Sequence, residues 1–142
     1  MPLSGLRVVD LTRILAGPFC SMLLANMGAH VIKIETPGEG DPVRRQGVGR
    51  YGLSWYFAGF NRNKRSLTLN LRHHEGCTVL EKLIAGSDVL AENFRPGVLA
   101  TMGFGEARLK ALNPALVYCN ITGFGSSGPI VVARPSILSP RR

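Results

Sequence analysis

Three cations in four residues, Arg62, Lys64 and Arg65, open the stretch Phe60-Asn-Arg-Asn-Lys-Arg-Ser-Leu-Thr-Leu-Asn-Leu-Arg72. The stretch then alternates, with Leu67, Leu69 and Leu71 on one side and Ser66, Thr68, Asn70 and Arg72 on the other. A period of two marks a half-buried strand. A charged turn that feeds polar groups onto one face of a sheet suits a phosphorylated ligand. The alternative is a solvated basic turn before an ordinary strand.

Three further stretches carry chemistry. Arg13 to Pro18 ends in Ala16-Gly17-Pro18, small residues with free backbone where a helix starts. Such a turn accepts a phosphate or carbonyl oxygen, or is a plain helix start with Pro18 in the first turn. Asn93-Phe94-Arg95-Pro96-Gly97 and the glycine-rich Thr122-Gly-Phe-Gly-Ser-Ser-Gly-Pro129 are the others. No G-x-G-x-x-G follows the first apolar run, so the usual dinucleotide fingerprint is not supported.

The elements that position these stretches alternate strand and helix. Leu6–Leu11 and His30–Ile34 read as strands, separated by a helix with Phe19, Met22, Leu23 and Met27 at helical spacing and Gly28 at its end. This is a βαβ unit, which makes the two strands parallel. Glu35–Gly52 is a long loop in which Arg44, Arg45 and Arg50 are expected to be exposed, followed by a short aromatic helix over Ser54–Phe60. Strand three is the opening stretch, with Lys64 and Arg65 expected to add long-range attraction without contact. A helix over Glu75–Ala85, a strand over Asp88–Asn93, short helices over Val98–Met102 and Glu106–Leu112, and a fifth strand over Leu116–Ile121 complete the order. The four special stretches all leave strand carboxyl ends, the edge of an open parallel sheet where ligands bind. His73 and His74 read as a solvated helix start, Cys119 as core, and Asp10 as a structural residue that caps a turn.

Composition narrows the classes. The 142 residues give one domain, 45% hydrophobic, with no apolar run near the length of a membrane span. The 17 basic against 9 acidic residues give a net charge of +8. Nucleic acid is disfavoured as the cause: aromatic residues are not interleaved with the cations, and three of the cations sit in the last nine residues. A phosphate-bearing cofactor would use the same charge. Cys20, Cys77 and Cys119 are widely spaced and form no metal pattern, which points to reduced thiols in a cytoplasmic protein, with the mitochondrial matrix or peroxisome as alternatives.

Six motifs in order, Leu11–Phe19, Met27–Glu35, Pro37–Asp41, Asn61–Ser66, Glu92–Gly97 and Thr122–Pro129, resemble the N-terminal third of the class III CoA-transferases, the CaiB/BaiF family. The resemblance implies an α/β fold, a Rossmann-like open parallel sheet with helices on both faces, here truncated. It implies a CoA-binding part over 1–129 and a non-family tail over 130–142. It implies an enzyme family that moves coenzyme A between carboxylic acids, with acyl-CoA as substrate, no metal, and interlocked homodimers. The positions matching family CoA contacts are Leu15 and Ala16, then Leu69, Asn70, Leu71 and Arg72, then Asn93, Phe94 and Arg95, with Gly123, Phe124 and Gly125 near them. Arg72 and Arg95 would meet phosphates as charge-assisted donors. Thr36 and Thr101 stand where members carry basic residues, and Leu15 where formyl-CoA transferases carry Gln. The family's nucleophilic Asp lies beyond the matched stretch, so no catalytic residue is assigned and this chain is expected to be inactive by itself. An α-methylacyl-CoA racemase-like isomerase and a non-catalytic CoA-binding fragment are the alternatives.

Overall fold

Short β-branched runs build the centre of the molecule. In the computed structural model, which describes residues 1–47 and 49–125, β1 (Arg7–Asp10), β2 (His30–Glu35), β3 (Lys64–Thr68), β4 (Val89–Glu92) and β5 (Val117–Asn120) form one sheet. All pairings are parallel and the order is β3-β2-β1-β4-β5. Parallel neighbours need crossovers, and right-handed crossovers fix which face each helix covers. Moving outward from β1 to β3 places α1 (Ala16–Asn26) and α2 (Trp55–Asn61) against each other on one face. The chain then reverses direction to β4. That puts α3 (His74–Ala85), the single turn α4 (Val98–Thr101) and α5 (Glu106–Leu112) on the other face. The α/β architecture and the helices on both faces are as the sequence predicts.

The two faces differ in chemistry. On the α3–α5 side, Val9, Leu11, Ile34, Leu80, Ile84, Leu90, Leu99, Phe104 and Leu109 form the main apolar core. Leu67, Leu69 and Leu71 pack against it, as the alternation requires. On the α1 side only Val8, Ala25, Ala29 and Val31 form a small cluster. The rest of that layer is polar and buried: Asp10, Ser21, Lys33, Glu35 and Asp41.

Four expectations need correction. Of Phe19, Met22, Leu23 and Met27 at helical spacing, Met22 alone is buried, and α1 packs through it and the small residues Gly17, Pro18, Ser21 and Ala25. Small residues let this helix approach the sheet closely enough for Ser21 to reach Asp10. Strand three stops at Thr68. Leu69 N–H makes one more bond to the Glu35 carbonyl, and an Asn70 turn then diverts the chain. Arg44 is not a free cation: it is half-buried, paired with Glu35, with its guanidinium carbon 3.5 Å from the centroid of the Phe57 ring. Lys64 is buried, with 1% of its side chain accessible, so it exerts no long-range attraction. Among the described residues no helix is long and apolar enough to cross a membrane.

Candidate functional site

Strand β1 is where the topology switches. Its neighbours β2 and β4 are reached by crossovers on opposite faces, and in open parallel sheets ligands bind beyond the strand carboxyl ends at such a point. The loops leaving these strands are tied together there. Arg13 N–H donates to Asn93 Oδ1 at 2.7 Å, and Asn93 Nδ2 donates to the Arg13 carbonyl at 2.8 Å. Thr12 N–H donates to Asp10 Oδ1 at 2.9 Å, the turn cap expected of Asp10. Ile14 N–H donates to the buried Asp41 carboxylate at 3.1 Å.

Ile14 itself has φ of 70°, a left-handed conformation that a β-branched residue adopts only under strong constraint. The neighbouring bonds supply that constraint. Leu15 follows as the residue preceding α1, and no side chain caps the helix. Pro18 has no N–H and Phe19 N–H donates to the Leu15 carbonyl at 2.9 Å, so Ala16 and Gly17 are the first-turn N–H groups left without a side-chain acceptor. Gly17 permits the arrangement: a Cβ there would lie 2.4 Å from Thr12 Cβ and 3.1 Å from Asn93 Cγ.

A buried ionic layer supports this loop from below. Lys33 Nζ donates to Asp41 Oδ2 at 2.9 Å and to the Thr12 carbonyl at 2.8 Å. Lys64 Nζ lies 3.0 Å from Asp10 Oδ2, 2.9 Å from the Pro18 carbonyl, 2.8 Å from Ser21 Oγ and 3.0 Å from Asn61 Oδ1. Burial pulls the Lys64 ammonium down from its ordinary range, and the Asp10 charge partly restores it. Burial by itself would raise the Glu35 carboxyl. The Arg44 guanidinium, the Asp41 N–H and the Ser66 hydroxyl outweigh it and hold the Glu35 pKa at about 2. Among the described residues, every buried side-chain polar atom has a hydrogen-bond partner.

The remaining expected positions lie along the same rim. At the β3 exit, Asn70 Oδ1 accepts from Arg72 N–H at 3.1 Å, and the Asn70 carbonyl accepts from His73 N–H at 3.1 Å. A Cβ on Gly76 would sit 2.2 Å from that carbonyl, so only glycine lets α3 start so close to the turn. Arg72 and Arg95 are exposed and make no ion pair among the described residues. Phe94 N–H donates to Glu92 Oε2 at 2.6 Å, and the Phe94 ring lies under the Arg13 guanidinium at 5.1 Å.

Gly123, Phe124 and Gly125 are exposed at the β5 exit, and Ser126–Pro129 lie outside the described residues. Leu15, Ala16, Asn93 and Phe94 thus meet at the switch point. Leu69–Arg72 and Gly123–Gly125 occupy the two ends of the rim, four strand spacings apart, about 19 Å. Asn93 contributes its side chain to the loop clamp, which spacing alone did not reveal. The ionic layer had one sequence signal: Lys33 and Glu35 share the strand parity of buried Val31.

A concavity of about 530 Å³ lies beside β5, against α4 and the start of α5, lined by Glu92, Leu99, Phe104, Tyr118, Asn120 and Gly125 among others. Buried Glu92 accepts from Tyr118 Oη at 2.7 Å and from Asn120 Nδ2. Burial first, and the Glu92 carboxylate next, push the Tyr118 phenol above its usual range. On the opposite side of β5, burial raises the Cys119 thiol, with Cys20 beside it.

The description of CoA-transferase family III matches residues 3–136. Human succinyl-CoA:glutarate CoA-transferase is 45% identical over 130 residues, covering 91% of this chain and 30% of the relative. The succinyl-CoA–L-malate CoA-transferase beta subunit of Chloroflexus aurantiacus is 48% identical over 130 residues, covering 91% of this chain and 32% of the relative. The crystal structure of a CAIB/BAIF family protein from Brucella suis superposes with a TM-score of 0.86 at 46% identity, covering 92% of this chain and 36% of that one. The chain spans about a third of the length of the curated relatives it matches.

Proposed function

This chain belongs to CoA-transferase family III, and from that premise we propose that its sheet rim receives coenzyme A for a transferase that moves CoA between carboxylic acids. The observation that supports this most is the braced switch-point loop. Asn93, Asp41 and Asp10 hold Thr12, Arg13 and Ile14 so firmly that a strained residue persists, next to a helix start that no side chain caps. A loop already ordered in this way would offer the Ala16 and Gly17 N–H groups to a carbonyl or phosphate oxygen without the cost of ordering it first.

Arg95, after β4, and Arg72, at the β3 end of the rim, are cations free of carboxylate partners among the described residues, and they suit phosphates as charge-assisted donors. Leu69 to Leu71 present backbone beside Arg72 against which the adenine would lie. Gly123 to Gly125 border the same rim from β5.

The covalent chemistry lies elsewhere. Of the described aspartates, Asp10 and Asp41 are buried and held by several donors. Asp88 sits at the amino-terminal edge of the sheet, bound to Arg7 N–H at 2.7 Å. None is placed to attack a thioester at the rim. The part of the reaction carried here is therefore substrate holding: orienting the CoA arm so that a nucleophile from outside these residues meets the acyl carbon. The acids served are of the kind the relatives' names state, dicarboxylates exchanging against succinyl-CoA. Titrating coenzyme A into the chain in a calorimeter tests this reading. Saturable binding that weakens with added salt, and weakens by about tenfold or more in Arg72→Ala or Arg95→Ala, supports it. No heat of binding from the wild-type chain overturns it.

A further inference from the structure

We infer that Arg13 is an anion-recognising residue of this site, its guanidinium taking a pair of anionic oxygens from the ligand: the diphosphate of coenzyme A or the free carboxylate of the acid substrate. The inference rests on the coenzyme A reading above and assigns a residue to which that reading gave no ligand role. Three observations carry it. Arg13 leaves the carboxyl end of β1 at the topological switch point, and both its backbone N–H and its carbonyl are fixed by one side chain, Asn93. Its guanidinium carbon lies 5.1 Å from the centroid of the Phe94 ring, which restricts its orientation, and the residue is exposed.

It also lacks a carboxylate. Among the described residues Arg13 makes no ion pair, and its one side-chain hydrogen bond is a long 3.4 Å contact from Nη2 to Thr36 Oγ1. Arg13 shares this with Arg72 and Arg95 on the same rim, whereas the cations beneath the loop, Lys33, Lys64 and Arg44, are each paired with an acid of this chain. A guanidinium has five N–H donors in a planar fork that matches carboxylate and phosphate geometry. An arginine held at its backbone, shelved on an aromatic ring and left without a counter-ion is poised for an anion that arrives with the ligand.

The test compares the wild-type chain with Arg13→Gln and Arg13→Lys, using three probes in calorimetric titrations: coenzyme A, pantetheine, and succinate added to the coenzyme A-loaded chain. If Arg13 meets the diphosphate, Arg13→Gln weakens coenzyme A by about tenfold or more and leaves pantetheine unchanged. If it meets the acid, coenzyme A binds as before and succinate weakens by that factor. Arg13→Lys, which keeps the charge and loses the fork, recovers only part of the affinity in either case. Unchanged affinity for all three probes in Arg13→Gln overturns the inference while leaving the coenzyme A reading intact. Equal weakening of coenzyme A and pantetheine, accompanied by a lower unfolding midpoint, also overturns it, because the residue then acts only on the loop. A wild-type chain that binds none of the probes removes both.

Discussion

Asn93 and Arg13, eighty residues apart in sequence, are joined by two hydrogen bonds of 2.7 and 2.8 Å between one side-chain amide and one residue's backbone. The amide oxygen accepts one of these bonds and its nitrogen donates the other, so Asn93 fixes the loop from both sides. Asn93→Ala removes both bonds at a partly solvated position and is expected to cost about 1–2 kcal/mol of stability. Asn93→Asp is expected to be no better, since its second oxygen faces the Arg13 carbonyl with no proton to offer. Denaturant unfolding of the three proteins checks this, and a stable Asn93→Asp variant would speak against the clamp.

Lys64 supports the same loop from the core. Its ammonium reaches Asp10, Ser21, the Pro18 carbonyl and Asn61, and 1% of its side chain is accessible. Lys64→Met leaves the Asp10 carboxylate buried without its cation, and a loss of about 3–5 kcal/mol is expected. Pairing it with Asp10→Asn removes the stranded charge. The double variant is therefore expected to be less destabilised than the sum of the single ones, and strict additivity in a double-mutant cycle would contradict the pairing.

Acid titrates the second half of the ionic layer. The Glu35 pKa is held at about 2 against an ordinary 4.5, so its contribution is complete above about pH 4.5. It falls away as the pH drops toward about 2. The shift corresponds to stabilisation on the order of 3 kcal/mol. Unfolding free energy is expected to decline through that window in the wild-type chain and to decline less steeply in Glu35→Gln. Equal slopes would mean that Glu35 is not the group that Arg44 and Ser66 stabilise.

Much of the architecture was legible because it follows from local rules. Valine and isoleucine make β1 and β2, and Gly28 and Gly86 end α1 and α3. The alternating leucines place Leu67, Leu69 and Leu71 against the core although the ladder itself ends at Thr68. The common rim of the strand exits follows from parallel pairing alone. What sequence patterns missed is non-local. Lys64 beside Arg62 and Arg65 reads as one more surface cation. Its burial depends on Asp10, fifty-four residues away, and on Ser21 of a helix packed above both. Arg44 likewise looks exposed until the long loop folds it onto Glu35 and Phe57. Phe19, Met22, Leu23 and Met27 share helical spacing, yet the polar layer selects the side of α1 with Met22 and the small residues, leaving the other three exposed. No periodicity encodes such pairings, because each partner comes from a different element.

The most direct measurement is a coenzyme A titration of the isotopically labelled chain followed by amide shifts. The account predicts that the largest changes fall at Arg13–Gly17, Leu69–Arg72 and Asn93–Arg95, together at the carboxyl rim of the sheet. Changes confined to the amino-terminal edge around Arg7, His30 and Asp88, or no changes at all, would contradict it.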